Sequence, residues 1–220
     1  MSRTTPDDVA LIAHRGCAGQ YPENTVEAIE HASPRVDAVE IDRLTDASGA
    51  VADADWEELR ELTVLDSGEP IPRLDEALAA APAWTAVNVE LKEPGVASDA
   101  LDIVRRAGSD VLFSSFHPDA LSTLRDRDPA TDRALLVADG TPERAVEAAT
   151  DLACVAVHPA LDLATEPGFV ETVQASELAV NAWTAADREE AERLLAAGVD
   201  GIIADRWDLF GDADPPESEV

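Results

Sequence analysis

Two short spacings carry most of the chemistry in this sequence. Val39-Glu40-Ile41-Asp42 sets two carboxylates two residues apart, and Val89-Glu90-Leu91-Lys92 sets a carboxylate and an ammonium at the same spacing. Positions i and i+2 of a strand share a face, so each pair projects together. Upstream, the apolar run Leu11-Ile-Ala ends in His14-Arg15-Gly16, a proton carrier beside a fixed cation. Three carboxylates converging on one cavity repel. Two unit charges about 4 Å apart cost roughly 4 kcal/mol at an effective dielectric of 20. Either some of them take up protons or a cation sits among them. Oxygen-only donors favour a hard ion, Mg²⁺ or Ca²⁺, over zinc. A metal beside a guanidinium and an ammonium suits an oxyanion, phosphate best. His14 can move a proton near neutral pH. Taken singly, each acid reads as a structural partner of Lys92, Arg15 or Arg43, and His14 as a packed, hydrogen-bonded histidine. Taken together, at matching strand ends, they favour a metal site.

The elements that must position these groups follow from an alternation along the whole chain. Strand-like apolar runs lie at Val9–Ala13, Ala38–Leu44, Ala86–Leu91, Val111–Phe116, Ala134–Val137, Cys154–His158, Leu178–Trp183 and Gly201–Ala204. Most are too uniformly apolar for one-sided antiparallel strands and suit a buried parallel sheet. Helices are expected at Thr25–Ala32 with Asn24 as cap, Arg73–Ala81, Ala97–Ala107, Pro118–Arg127, Pro142–Thr150, Pro167–Ala175 and Asp187–Ala197, and a short one at Glu57–Leu62. Eight strands with crossover helices give an α/β fold, a (βα)8 TIM barrel. An open doubly wound sheet is the second choice. It would leave the eighth strand and the convergent charges without a reason. Residues 1–210 read as one domain and residues 211–220 as an acidic, mobile tail.

Composition narrows the partners. The 220 residues hold 46 acidic against 16 basic side chains, a net charge of −30, and Lys92 is the only lysine. Such a surface repels nucleic acid and anionic membranes. It also repels itself at low salt, where the Debye length is long. A halophilic cytoplasm is the expected setting, with an ordinary acidic protein as the alternative. No run reaches the length of a membrane span, and Met1–Val9 lacks the apolar core of a signal peptide. Cys17 and Cys154 are too few for a disulfide framework.

The chain resembles the glycerophosphodiester phosphodiesterases. The resemblance rests on His14-Arg15-Gly16 with Pro22-Glu-Asn-Thr25, Glu40-Ile-Asp42, Glu90-Leu-Lys92, Ser114-Ser-Phe-His-Pro118, Asn181-Ala-Trp-Thr184 and Gly201-Ile-Ile-Ala-Asp-Arg206, all in family order. It implies a (βα)8 barrel. It also implies that Glu40, Asp42 and Glu90 hold a divalent cation, that Arg15 and Lys92 bind phosphate, and that His14 is one of two catalytic histidines. In the family's reaction a glycerol hydroxyl attacks phosphorus, an alcohol departs, and a cyclic phosphate is then hydrolysed.

One departure stands out. The family normally carries its second histidine, in a His-Asp pair, in the loop after the second strand. Here that loop is shortened, runs from Thr45 to Asp55 and on to Trp56-Glu-Glu-Leu59, and contains no histidine. A general acid contributes typically about 10²–10⁴-fold. The sequence therefore admits three readings: a glycerophosphodiesterase, a phosphodiesterase for substrates with better leaving groups, and a degenerate barrel that binds a phosphorylated ligand without turnover. Of the remaining histidines, His31 falls in the first helix. His117 and His158 are expected just after the fourth and sixth strands, and His117 is the better placed. Asp53 or Asp55 offers an alternative way to place a water. Trp183, ending the seventh strand, can pack against a substrate's carbon skeleton or close the core. No catalytic role falls to Cys17.

Overall fold

A computed structural model describes residues 5–42, 62–64 and 67–211. The expected short helix at Glu57–Leu62, the shortened loop with Arg43, Asp53 and Asp55, and the tail beyond Gly211 lie outside the described residues. Eight strands close into a barrel in chain order: β1 Ala10–Ala13, β2 Ala38–Ile41, β3 Ala86–Glu90, β4 Val111–Ser115, β5 Asp132–Val137, β6 Ala156–Pro159, β7 Ala179–Ala185 and β8 Gly201–Ala204. Each pairs in parallel with its neighbours. The closing pair β1–β8 sets Ala10 against Gly201 and Ala13 against Ala204, which excludes an open sheet.

The strands read as near-continuous apolar runs because helices cover the outside while side chains fill the inside. Val39 and Ile41 on β2, and Val87 and Val89 on β3, belong to the main core with helix residues such as Leu78, Leu101 and Leu121. The alternate positions Glu40 and Asn88 stand side by side in the register. Glu90 is likewise beside Ser114.

Eight described helices follow: α1 Val26–Ala32, α2 Leu74–Ala80, α3 Ala97–Ala107, α4 Pro118–Arg127, α5 Pro142–Asp151, α6 Leu161–Ala164, α7 Phe169–Gln174 and α8 Arg188–Ala197. Their ends obey local rules. Proline opens α4 and α5 at positions where the amide has no intrahelical partner. Asp187 caps α8 by accepting from the Glu190 amide, and Gly198 closes it with φ 80°. Along α3, Ala97, Ala100, Leu101 and Val104 are buried, one face of a helical period. Among the described residues, no helix is long and apolar enough to cross a membrane.

Several boundaries differ from the sequence reading. Thr25, not Asn24, caps α1, its hydroxyl accepting from the Ala28 amide at 3.1 Å; Asn24 is taken up by a longer-range partner described below. The expected helix at Pro167–Ala175 begins only at Phe169, after Gly168 at φ 83°. The short helix α6 is additional, packed through Leu161, Leu163 and Ala164. β6 begins two residues later and ends one residue later than expected, so His158 lies within the strand and is fully buried.

At the start of β5, Arg133 is 2 % exposed. Its guanidinium donates to the carbonyls of Leu152 (3.3 Å), Asp128 (3.2 Å) and Ala153 (2.9 Å), and to that of Thr131. One side chain thereby ties together the loops that enter β5 and β6.

Candidate active site

The site is built at the C-terminal ends of β1 to β5, β7 and β8. A cavity of about 240 Å³ is lined by His14, Arg15, Glu40, Asn88, Glu90 and Lys92 on one side, and by Phe116, Leu136, Trp183 and Ile203 on the other, with Ser114 and Thr184 between. Asp42 lies just beyond β2 and 7 % exposed, within reach of the same charges.

The turn after β1 sets the geometry. Arg15, Gly16 and Cys17 all have positive φ, at 52°, 75° and 68°. A Cβ on Gly16 would stand 2.8 Å from the Ala28 Cβ of α1, so glycine is required both by the backbone angle and by the close approach of the helix. The tight turn aims the Arg15 amide at Glu40 Oε2 (2.9 Å) and its guanidinium at Glu23 Oε2 (2.8 Å). Asn24, also left-handed at φ 59°, makes a reciprocal pair with Asp42. Its Nδ2 donates to Asp42 Oδ1 at 2.9 Å, and its Oδ1 accepts from the Asp42 amide at 3.0 Å.

Glu40, Asp42 and Glu90 each contribute an oxygen within 4.8 Å of the others. Burial, and then the neighbouring Asp42 charge, push the Glu40 carboxyl up to about 8. Arg15 Nε lies 2.9 Å from Asp42 Oδ2, and Lys92 Nζ lies 3.1 Å from the same oxygen and 2.6 Å from Glu90 Oε1. These are ion-pair separations. Among the described residues, Glu40 Oε1 is buried without a hydrogen-bond donor, while Asp42 Oδ2 and Glu90 Oε1 face only the two cations. Three convergent carboxylate oxygens of this kind are a donor set suited to a hard divalent cation. For Lys92, burial disfavours the charge, but Asp42 and Glu90 outweigh it and hold the ammonium above its usual range.

His14 lines the cavity, and its Nδ1 lies 2.7 Å from Asp205 Oδ1. Burial works against charge on this imidazole. The Asp205 hydrogen bond and the Glu40 and Asp205 charges outweigh it, so its pKa is raised.

The structure thus brings His14, Arg15, Glu40, Asp42, Glu90 and Lys92 together. Trp183 joins them, its Nε1 donating to the His158 carbonyl at 2.8 Å and its ring meeting Phe116 edge-on at 5.5 Å between centroids. His117 does not line the cavity; it is exposed at the start of α4. His158 contacts Asn181 Nδ2 at 3.0 Å inside the barrel, and burial pushes its pKa down to about 3. His31 stacks on Tyr21 outside the cavity. Cys17 is buried, its thiol pushed up to about 12 chiefly by that burial.

Asp205, Asn88, Ser114 and Glu23, to which the sequence reading gave no role, and Asn24, which it read as a helix cap, stand in or beside the site. Asn88 and Ser114 carry a readable signal, since each neighbours an assigned acid on the barrel interior.

An eight-stranded barrel whose mouth gathers three carboxylates, two cations and a histidine defines the class of barrel that handles phosphate esters. The chain belongs to the glycerophosphoryl diester phosphodiesterase family, whose profile matches residues 37–209. It is 27 % identical over 230 residues to a glycerophosphodiester phosphodiesterase of Bacillus altitudinis, covering 89 % of this chain and 94 % of the relative. A protein of the same name from Caldanaerobacter subterraneus subsp. tengcongensis is 28 % identical over 228 residues, covering 89 % of this chain and 93 % of that one. Among solved structures, an Oleispira antarctica phosphodiesterase in complex with its product sn-glycerol-3-phosphate superposes with a TM-score of 0.78 at 26 % identity, covering 89 % of this chain and 92 % of that chain.

Proposed function

We propose that this chain is a metal-dependent phosphodiester hydrolase that cleaves glycerophosphodiesters to glycerol phosphate and an alcohol. The observation that carries this is the single cavity in which carboxylate oxygens, two cations and an oriented histidine converge. In this reading Glu40, Asp42 and Glu90 hold Mg²⁺ or Ca²⁺, which supplies Lewis-acid neutralisation of phosphate charge. Arg15 and Lys92 complete the neutralisation, with Glu23 fixing the guanidinium. His14 carries a proton. Leu136, Phe116 and Trp183 form an apolar wall for a carbon skeleton; His117 is not part of it.

In-line displacement at phosphorus sets the entering and leaving oxygens on opposite sides. One imidazole serves one of them. The described histidines other than His14 lie outside the cavity, and residues 43–61 contain none. That observation favours a second reading, a barrel that binds a phosphorylated ligand without turnover. Steady-state rates on glycerophosphocholine and on a p-nitrophenyl phosphodiester, with Mg²⁺ or Ca²⁺, separate the two. Turnover of both is the expected result. Turnover of the activated ester alone replaces glycerophosphodiesters by substrates with better leaving groups. Binding without turnover of either establishes the second reading.

The charge of −30 supports a salt-rich cytoplasm as the working environment. Screening shortens the range of self-repulsion from about 10 Å at 0.1 M salt to about 3 Å at 1 M. The melting temperature is therefore expected to climb as KCl is raised toward molar concentration. A flat or falling profile rejects the halophilic assignment.

A further inference from the structure

We propose that Asp205 is the positioning residue of the proton carrier: it fixes His14 with the proton on Nδ1 and presents Nε2 to the scissile phosphodiester. The inference rests on the phosphodiesterase reading above and adds a role for a residue on the last strand's exit.

The register places the two residues. Ala13 on β1 pairs with Ala204 on β8, so the next residue on each strand, His14 and Asp205, leaves the barrel at the same seam. The carboxylate oxygen then lies 2.7 Å from His14 Nδ1. His14 lines the cavity and Asp205 does not, which leaves Nε2 as the ring nitrogen available to a ligand. Asp205 is itself held on both sides. Its amide donates to the Ala185 carbonyl at 3.0 Å, and its carbonyl accepts from the Gly19 amide at 2.9 Å. A Cβ on Gly19 would stand 3.0 Å from that carbonyl oxygen, so the loop after β1 approaches closely enough to lock the peptide. A carboxylate pinned through its own backbone is a rigid reference for the imidazole.

The chemistry needs such a reference. A neutral imidazole has one donor and one acceptor nitrogen, and the partner of one decides the role of the other. An ionised carboxylate only accepts, so it draws the proton to Nδ1 and leaves the Nε2 lone pair facing the cavity. It also stabilises the imidazolium formed when Nε2 takes a proton. With no histidine in residues 43–61, this orientation governs the proton carrier that the cavity does contain.

The test is ¹⁵N NMR of the imidazole nitrogens on the alkaline plateau of the His14 titration, where its shifts no longer change with pH, with the His14 signals assigned by their loss in His14→Gln. The wild type is expected to hold its proton on Nδ1. Asp205→Asn, whose amide can donate to Nδ1, is expected to shift the proton to Nε2. In the same variant kcat should fall by about 10²–10⁴-fold, with KM changed less than about threefold. Binding of Mg²⁺ should be unaltered. A wild-type proton on Nε2 overturns the proposal, as does an Asp205→Asn protein whose kcat stays within about twofold of wild type. The wild-type measurement decides the question even if the variant does not fold. Absence of turnover on any diester would reject the phosphodiesterase reading while leaving the ring-nitrogen result to judge Asp205.

Discussion

Glu90→Gln is expected to lower turnover of a p-nitrophenyl phosphodiester by at least about 10³-fold, equivalent to roughly 4 kcal/mol of lost transition-state stabilisation. The substitution keeps the side-chain shape and removes one negative charge from the proposed donor set. Glu90 Oε1 faces the Lys92 ammonium at 2.6 Å, so the native role of that oxygen is charge, and an amide oxygen cannot replace it. Two readouts separate metal binding from general damage. Added Mg²⁺ or Ca²⁺ should raise the melting temperature of the wild type and raise that of the variant much less. Without divalent cations the variant should stay within about 1 kcal/mol of the wild type. It loses the 2.6 Å pair of Glu90 with Lys92 but is relieved of the repulsion between Glu90 and Asp42, and Lys92 keeps Asp42 at 3.1 Å as a partner. Full activity with an unchanged metal response would remove Glu90 from the proposed site.

The second large effect lies at the opposite end of the barrel. Arg133→Met should destabilise the protein by about 3–5 kcal/mol, because carbonyls in two loops lose a buried donor at once. The buried guanidinium serves the Asp128, Thr131, Leu152 and Ala153 carbonyls. Methionine fills a similar volume but donates nothing. Arg133→Lys should recover only part of the loss, since a compact ammonium cannot span acceptors that a planar fork reaches. Urea melts would show a lower midpoint with the slope little changed. The folded variant should keep its turnover number, because Arg133 does not line the cavity. A loss below about 1 kcal/mol would mean that water satisfies these carbonyls equally well.

Local signals made most of the barrel readable. Runs such as Ala134–Val137 and Gly201–Ala204 are apolar on both faces because parallel strands are covered inside and out. The Glu40/Asp42 and Glu90/Lys92 spacings need only the period of a strand to be placed on one face. What escaped the sequence depends on long-range contacts. Asn24 precedes a helix, and capping is the default use of such a residue. Only the folded chain shows that Asp42, 18 residues away, claims its amide. His158 sits at the end of an apolar run, where a strand end and a strand interior look alike. The actual strand, Ala156–Pro159, is set by pairing with β5 and β7. Asp205 stands in a recognisable segment, but its partner is fixed by barrel closure, which no local pattern encodes.

That closure divides the labour of the chain unevenly. Every charged group proposed to meet metal or phosphate lies within the first 92 residues, on β1 to β3 and their loops. The carboxylate that orients the histidine is 191 residues from it along the chain. The charges that would meet the ligand and the carboxylate that orients the proton carrier therefore come into register only when the first and last strands pair and the barrel closes.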